Sequence, residues 1–357
     1  MSLETDVTLE IQPESRVDVI NVRERIPDRI RSRLSRYSKS VYYSYHTTAG
    51  YFGEKLSAQL NHSGEALRNF VQVFQTLFPS RRGYRHDQLD LRTELSQEQK
   101  ATEPLNADSH LTFMSSGLTN CATYENRPDT PVYFVDLDGI WNDVRRRRRT
   151  TVLAFNEEQV VARVDLPVPV SRHPIDSINL MDPHLGFFSR LQDLIRTHRV
   201  DRGRIDISLG PEERNAGLTV NEYETLLMKH DLAKVLRNPL HFMAKSGRQM
   251  LGNPRAIPGR ARDYAKYDLV QILNQTVDAL GLSESVFERL LQRFVRAPAD
   301  HFMGMDRSLI LLVSSAHANG TGPGSIVNGT YQSPILVQWD RPETDTRRLE
   351  ISLVRFD

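Results

Sequence analysis

The chain has a single cysteine, Cys121, in 357 residues. One thiol excludes an intramolecular disulfide framework and suits a reducing compartment. Cys121 is expected to serve as a small buried apolar residue rather than as a nucleophile. Long hydrophobic runs are missing as well: no apolar stretch approaches the ~20 residues of a membrane span. The stretch Met1-Ser2-Leu3-Glu4-Thr5-Asp6 carries neither the basic nor the apolar part of a signal peptide. There is no excess of one charge, because 46 Lys and Arg face 45 Asp and Glu, a net +1. No global field therefore draws the chain to nucleic acid or to an anionic membrane. The expectation is a cytoplasmic protein with a small-molecule substrate. At this length about two domains are expected.

What the chain does have is a set of polar turns at the ends of predicted strands. Ser40–Tyr45 is rich in aromatic and β-branched residues and reads as a strand. It ends at His46, followed by Thr47, Thr48, Ala49 and Gly50. The apolar spacing over 51–77 predicts a helix behind it. His86 stands in Tyr84-Arg85-His86-Asp87, and His110 in the stretch Glu103 to Leu111. His46, His86 and His110 are thus three imidazoles in three segments, each beside carboxylate or hydroxyl groups. That is the ligand type of an open zinc or other divalent metal site. The separations are too long for a local metal motif, so the set rests on residue type.

Along the chain, 17–22 reads as a strand, and Ile26, Ile30, Leu34 and Tyr37 mark one face of a helix. The polar stretch from about 79 to 104, with Arg81, Arg82, Arg85 and Arg92, reads as a loop over the site. Residues 110–116 and 131–138 read as strands. The basic run 145–149 reads as the solvated end of a hairpin before a strand at 150–155. The stretch 167–174 has the look of a linker. Beyond it come a short strand near 178–180, a helix marked by Leu185, Phe188, Leu191 and Ile195, and an alternating strand at 204–209.

In order along the chain, His46-Thr47-Thr48-Ala49-Gly50, Tyr84 with His86, Asn106-Ala107 with His110-Leu111, and Asp138-Gly139 resemble the motifs of the YjbQ-like proteins, also called secondary thiamine-phosphate synthases. That family's pattern continues after His-Thr-Thr-Ala-Gly with Leu-Thr-Ile-Asn-Glu, and includes a Gly-Thr-Trp-Gln segment. The first half departs from both. The second half carries their counterparts: Ala216-Gly217-Leu218-Thr219-Val220-Asn221-Glu222 and Gly329-Thr330-Tyr331-Gln332. Leu312–Ser315 echoes Phe113–Ser116, 334–340 parallels 131–138, and 347–356 parallels 147–155. The chain therefore reads as a tandem duplication. Its second repeat has lost the histidines, with Glu213 where His46 would be and Leu309 where His110 would be.

The resemblance implies an α/β (α+β) fold of two sandwich repeats, residues 1–168 and 169–357. Each would be a mainly antiparallel sheet with helices on one face, and the second would carry a helical insertion at about 224–305. It also implies a homotrimer or other homo-oligomer. Because the two halves keep complementary motifs, a composite site is expected: His46, His86 and His110 from the first repeat, with Glu222, Asn221 and Gln332 from the second repeat of the same or a neighbouring chain. Val220-Asn221-Glu222 is expected to open a helix. Thr47, Thr48, Arg82, Arg85, Arg92, Asn106 and Gln332 would bind a phosphorylated substrate. The implied reaction is a thiamine-phosphate-synthase-type transfer, in which a departing diphosphate needs cationic stabilisation, within a specialised pathway. A metal-dependent hydrolase and a non-catalytic ligand-binding scaffold are the alternatives.

Overall fold

Alternation of apolar and polar residues writes the sheets. In Arg202–Leu209 the buried residues Ile205, Ile207 and Leu209 fall on one face, while Arg204 and Asp206 fall on the other. The computed structural model describes residues 6–357 apart from 82, 93–94, 174–175, 223–305, 316–321 and 341. The insertion expected at about 224–305 lies outside the described residues. The strand pairings set out below are all antiparallel, and the class is α+β.

The first half builds a four-stranded sheet in the order β1 (Asp6–Ile11), β9 (Arg148–Phe155), β3 (Lys39–Ser44), β5 (Cys121–Glu125). A small sheet packs on it in the order β2 (Asp18–Asn21), β6 (Tyr133–Asp136), β4 (Ala49–Gly50). The second half builds a five-stranded sheet, β10 (Glu158–Pro169), β17 (Thr346–Phe356), β12 (Arg202–Leu209), β14 (Ser308–Ser314), β15 (Ser325–Ile326). Its small sheet runs β11 (Asp176–Asn179), β16 (Ser333–Gln338), β13 (Ala216–Asn221). A separate hairpin joins β7 (Ile140–Trp141) to β8 (Val144–Arg145). Asn142 and Asp143 between them have φ of 48° and 60°, which is the backbone of a tight two-residue hairpin turn. The first four strands of each large sheet follow one order, and so do the two small sheets.

Helices α1 (Val22–Arg25) and α2 (Asp28–Leu34) connect β2 to β3. The predicted 51–77 helix is two helices, α3 (Glu54–Gln59) and α4 (Gly64–Leu77). Ser63 caps α4 by accepting the Ala66 N–H at 3.3 Å, and Leu67, Phe70 and Val71 bury its inner face. Together with α6 (Ala107–Ser115), these helices cover the outer face of the small sheet. Helix α5 (Gln97–Thr102) opens with a capping box of Ser96 and Gln99. Helix α7 (Phe187–Thr197) packs Phe187, Leu191 and Ile195 on the second large sheet.

The two large sheets meet face to face. Val41, Tyr43, Leu153 and Phe155 of one pack on Leu312, Val354 and Phe356 of the other. Phe155 and Phe356 stack with ring centroids 4.0 Å apart and planes 3° from parallel. Cys121 lies in this layer, where burial pushes its thiol up to about 12.

Three expectations are corrected here. Residues 110–116 form the end of helix α6 and the turn after it, not a strand; every residue of that helix is buried, so no polar face marks its period. The equivalence of Leu312–Ser315 with Phe113–Ser116, and of Leu309 with His110, fails with it, because β14 takes the sheet position of β5. The chain does not cross between sheets at 167–174. It crosses between Phe155 and Glu158, and β10 pairs with β17 through Pro169.

Candidate composite site

Helix α6 carries His110 into the interior, and the loop after α4 carries His86 beside it. Both side chains have no exposed surface, and their ring centroids are 5.1 Å apart. The loop is pinned by Asp87, whose Oδ1 accepts the Ala107 N–H at 3.0 Å and lies 3.1 Å from His86 Nδ1. From the other half, the end of β13 delivers Asn221, with its Oδ1 2.7 Å from His110 Nδ1. The same Oδ1 accepts the backbone N–H of Glu222 at 2.8 Å, which fixes the amide as an acceptor towards His110. His110 Nδ1 must therefore carry the proton, and Nε2 the lone pair. By the same logic a carboxylate partner makes His86 Nδ1 a donor. Glu222 Oε1 stands 3.9 Å from His110 Nε2, and Thr47 Oγ1 donates to it at 3.2 Å. The ligand atoms of His86, His110 and Glu222 all lie within 4.8 Å of one another.

Burial and the neighbouring His86 hold His110 down at about 3, so it is neutral at pH 7. His110 Nε2 is buried and accepts no hydrogen bond among the described residues.

A cavity of about 470 Å³ opens onto this cluster at Glu222. Arg92, Glu103, Asn106, Trp141, Arg146 and Tyr331 also line it. Arg92 donates to Glu103 at 2.9 Å. Burial raises the Glu103 carboxyl above its ordinary range against the pull of Arg92. Arg146 pairs with Asp138, and Asn106 Nδ2 donates to the same Asp138 oxygen at 2.7 Å.

The expected set is thus partly reassembled. His86, His110, Asn221 and Glu222 come together, and Arg92 and Asn106 line the adjoining cavity. His46 does not join them. Its Nε2 accepts the backbone N–H of Arg149 at 2.8 Å, and burial with Arg148, Arg146 and Arg149 nearby holds its pKa down at about 3. The residues whose ligand atoms converge are therefore His86, His110 and Glu222 rather than the three histidines. Glu222 follows strand β13, whose last residue is Asn221; whether a helix opens there falls on 223–305, which lie outside the described residues.

Gln332 is not among the cavity-lining residues, and its amide is bonded to protein. Nε2 donates to Ser44 O at 2.7 Å and His46 O at 3.0 Å; Oε1 accepts from Tyr43 Oη at 2.7 Å and Gly329 N at 2.8 Å. Gly329 sits so close that a Cβ there would lie 2.1 Å from Tyr45 O. The Gly329–Gln332 turn of the second half thus clamps the His46 turn of the first. Thr48 is buried, with its Oγ1 3.4 Å from Arg148 Nη2. Arg85 is partly exposed and is not among the cavity-lining residues. Arg82 lies outside the described residues.

The basic run is not simply solvated. Arg148 makes a buried two-pronged pair with Asp136 at 2.6 and 2.8 Å, and Arg149 lies 3.9 Å over the Tyr45 ring. Sequence reading missed Arg146, Trp141 and Glu103 as cavity residues. The tight Asn142-Asp143 turn next to Trp141 was the available signal.

No family model and no curated protein matches this chain. Solved structures do. One is a YbjQ-like protein of unknown function from Sulfolobus solfataricus P2, with 14% identity and a TM-score of 0.29, covering 56% of this chain and 99% of that one. A hypothetical protein from Aeropyrum pernix K1 shows 13% identity and a TM-score of 0.27, over 54% of this chain and 98% of that one. An uncharacterized conserved protein of the yjbq/upf0047 family from Clostridium acetobutylicum shows 14% identity and a TM-score of 0.24, over 53% and 98%.

Proposed function

We propose that the chain is a YjbQ-like enzyme acting on a small molecule at the composite centre, with a divalent cation held by His86, His110 and Glu222. The observation that carries this reading is the pair of buried imidazoles. Asp87 and Asn221 accept hydrogen bonds from their Nδ1 N–H groups, and a ring nitrogen of each imidazole gathers with the Glu222 carboxylate within 4.8 Å. A second-sphere acceptor on the far ring nitrogen is the usual companion of a histidine ligand. Two nitrogens and a carboxylate oxygen fit Zn²⁺ or Fe²⁺ with open positions.

A divalent cation bound there supplies Lewis-acid polarisation of a substrate oxygen or of water. The chain's own groups do the rest. Asn221 and Asp87 hold the rings in one tautomer, and the Thr47 hydroxyl fixes Glu222. Trp141 and Tyr331 shape the cavity beside it. Metal-assisted transfer or hydrolysis is the reaction class. A thiamine-phosphate-synthase-type transfer is the finer reading within it, supported by the family resemblance and by Arg92 and Arg146 on the cavity wall.

We also read the chain as a diverged tandem duplication. Support comes from the strand order repeated in both halves. It also comes from Glu213, whose Oε1 accepts the Arg348 N–H at 2.6 Å just as His46 accepts that of Arg149. By resemblance the chains assemble as a homotrimer, which light scattering at micromolar concentration tests.

Calorimetric titration of the metal-free chain with Zn²⁺ tests the centre. One equivalent per chain is expected, with affinity lost in Glu222→Gln. A wild-type chain that takes up no divalent cation overturns it.

A further inference from the structure

The chain's net charge of +1 conceals a local excess. Residues 22–39 hold seven Lys and Arg against two carboxylates, Glu24 and Asp28, and six of the seven are Arg. They run through α1, α2 and the turn that leads into β3. None of them belongs to the metal centre or lines its cavity. The segment is anchored by its apolar face: Ile26 and Leu34 are buried in the core of the first half, and Ile30 and Tyr37 pack against it. At 3.6 residues per turn, that face fixes where the other side chains point. Arg29 and Arg33 lie one turn apart on one flank of α2. Arg36 continues the row, since its N–H bonds Arg33 O at 3.1 Å in the turn after the helix. Arg25 precedes it at the end of α1. Arg25, Arg29 and Arg36 are exposed.

The two carboxylates do not cancel this row. Asp28 pairs with Arg31 on the opposite flank, and Glu24 accepts from the Asn21 amide at 2.8 Å. Residues 223–305, outside the described residues, are themselves net basic in sequence, with 12 Lys and Arg against 8 Asp and Glu.

The surroundings decide what kind of anion the row fits. A lipid surface takes up apolar side chains beside the charges, and a protein interface has an apolar centre. The large apolar side chains exposed among the described residues, Leu91, Val144, Val160 and Tyr331, all lie on other segments. The row itself is arginine, whose planar fork matches a phosphate group. Ser32 and Ser35 stand exposed between the arginines, and small hydroxyls of this kind also reach phosphate oxygens. Neighbours along a helix flank are about 5–6 Å apart, close enough for their side chains to engage successive phosphates.

We propose that the arginine flank of α1 and α2 binds the phosphate backbone of nucleic acid. Its contacts fall on phosphate, so it does not read sequence.

Fluorescence anisotropy of the full chain with a labelled DNA duplex of about 20 base pairs tests this. Micromolar binding is expected at about 50 mM salt, with a log–log salt slope of about −3 to −4, as three or four phosphate contacts require. Two duplexes of unrelated sequence should bind alike. Arg25→Gln/Arg29→Gln/Arg36→Gln should weaken binding at least about tenfold and remove about 2–3 of the slope, with the melting temperature unchanged. Where that triple variant does not fold, Arg29→Gln alone should remove about one unit of slope. Arg145→Gln/Arg147→Gln is the control. Those exposed residues precede the Thr150 end of β9, whereas Lys39 pairs with Phe155 at its other end. This control should bind as wild type. Absence of duplex binding at about 50 μM chain, below the ~100 μM upper limit of ordinary non-specific binding, overturns the proposal. So does a folded Arg25/Arg29/Arg36 variant that binds as wild type, or a loss that follows Arg145 and Arg147 instead. Binding to phosphatidylserine vesicles without binding to duplex overturns it as well.

Discussion

Asn221 accepts a hydrogen bond from His110 at 2.7 Å across the boundary between the two halves of the chain. The bond ties the last residue of a strand in the second half to a fully buried helix residue in the first. Its consequence is a single tautomer for His110. Asn221→Leu removes the acceptor, so Zn²⁺ affinity should fall about 10–100-fold with His110 still present. Calorimetry on the variant checks this; unchanged affinity would show that the tautomer is set elsewhere.

His46 and Glu222 should separate cleanly. Glu222→Gln should abolish tight metal binding with little change in melting temperature. His46→Ala should leave the metal titration as in wild type and lower the melting temperature, because it strands the Arg149 N–H that His46 Nε2 now accepts. If His46→Ala removes the metal instead, the geometry of the trio is wrong.

Stability should respond to acid through His46. Its folded pKa is held at about 3 against a reference of 6.5. Between those values the unfolded chain binds a proton that the folded chain refuses, so this contribution is present above about 6.5 and is lost as pH falls towards 3. Asp108 acts in the opposite sense. Burial raises it to about 6 despite Arg16, so it gains stability as pH falls from 6 towards its reference of 3.8. The stability difference between wild type and His46→Gln, from urea unfolding, should therefore shrink between pH 7.5 and pH 5. A difference independent of pH counts against a buried neutral His46.

Gln332→Ala should destabilise by about 2–4 kcal/mol, since it strands several buried partners at once. It should also loosen the turn that holds Thr47 against Glu222, and so weaken Zn²⁺ binding modestly. Thermal unfolding and calorimetry on the same sample test both effects. A surface role for Gln332 would change neither.

Local pattern carried much of this protein. The alternation in 202–209 marks a strand because a pleated chain points successive side chains to opposite faces, and one face here is core. The ordered histidine and Asn-Glu motifs singled out four residues that do meet. Tertiary structure decided the rest. Helix α6 reads like a strand because it is buried all round and so has no polar face to reveal its period. His46 has the same chemistry as His86 and His110, and only the approach of the Arg149 backbone turns its lone pair away from them. Asn221 meets His110 across 111 positions, and Gln332 meets Ser44 across 288. No short-range periodicity encodes such partners; they follow from two sheets burying their apolar faces against each other.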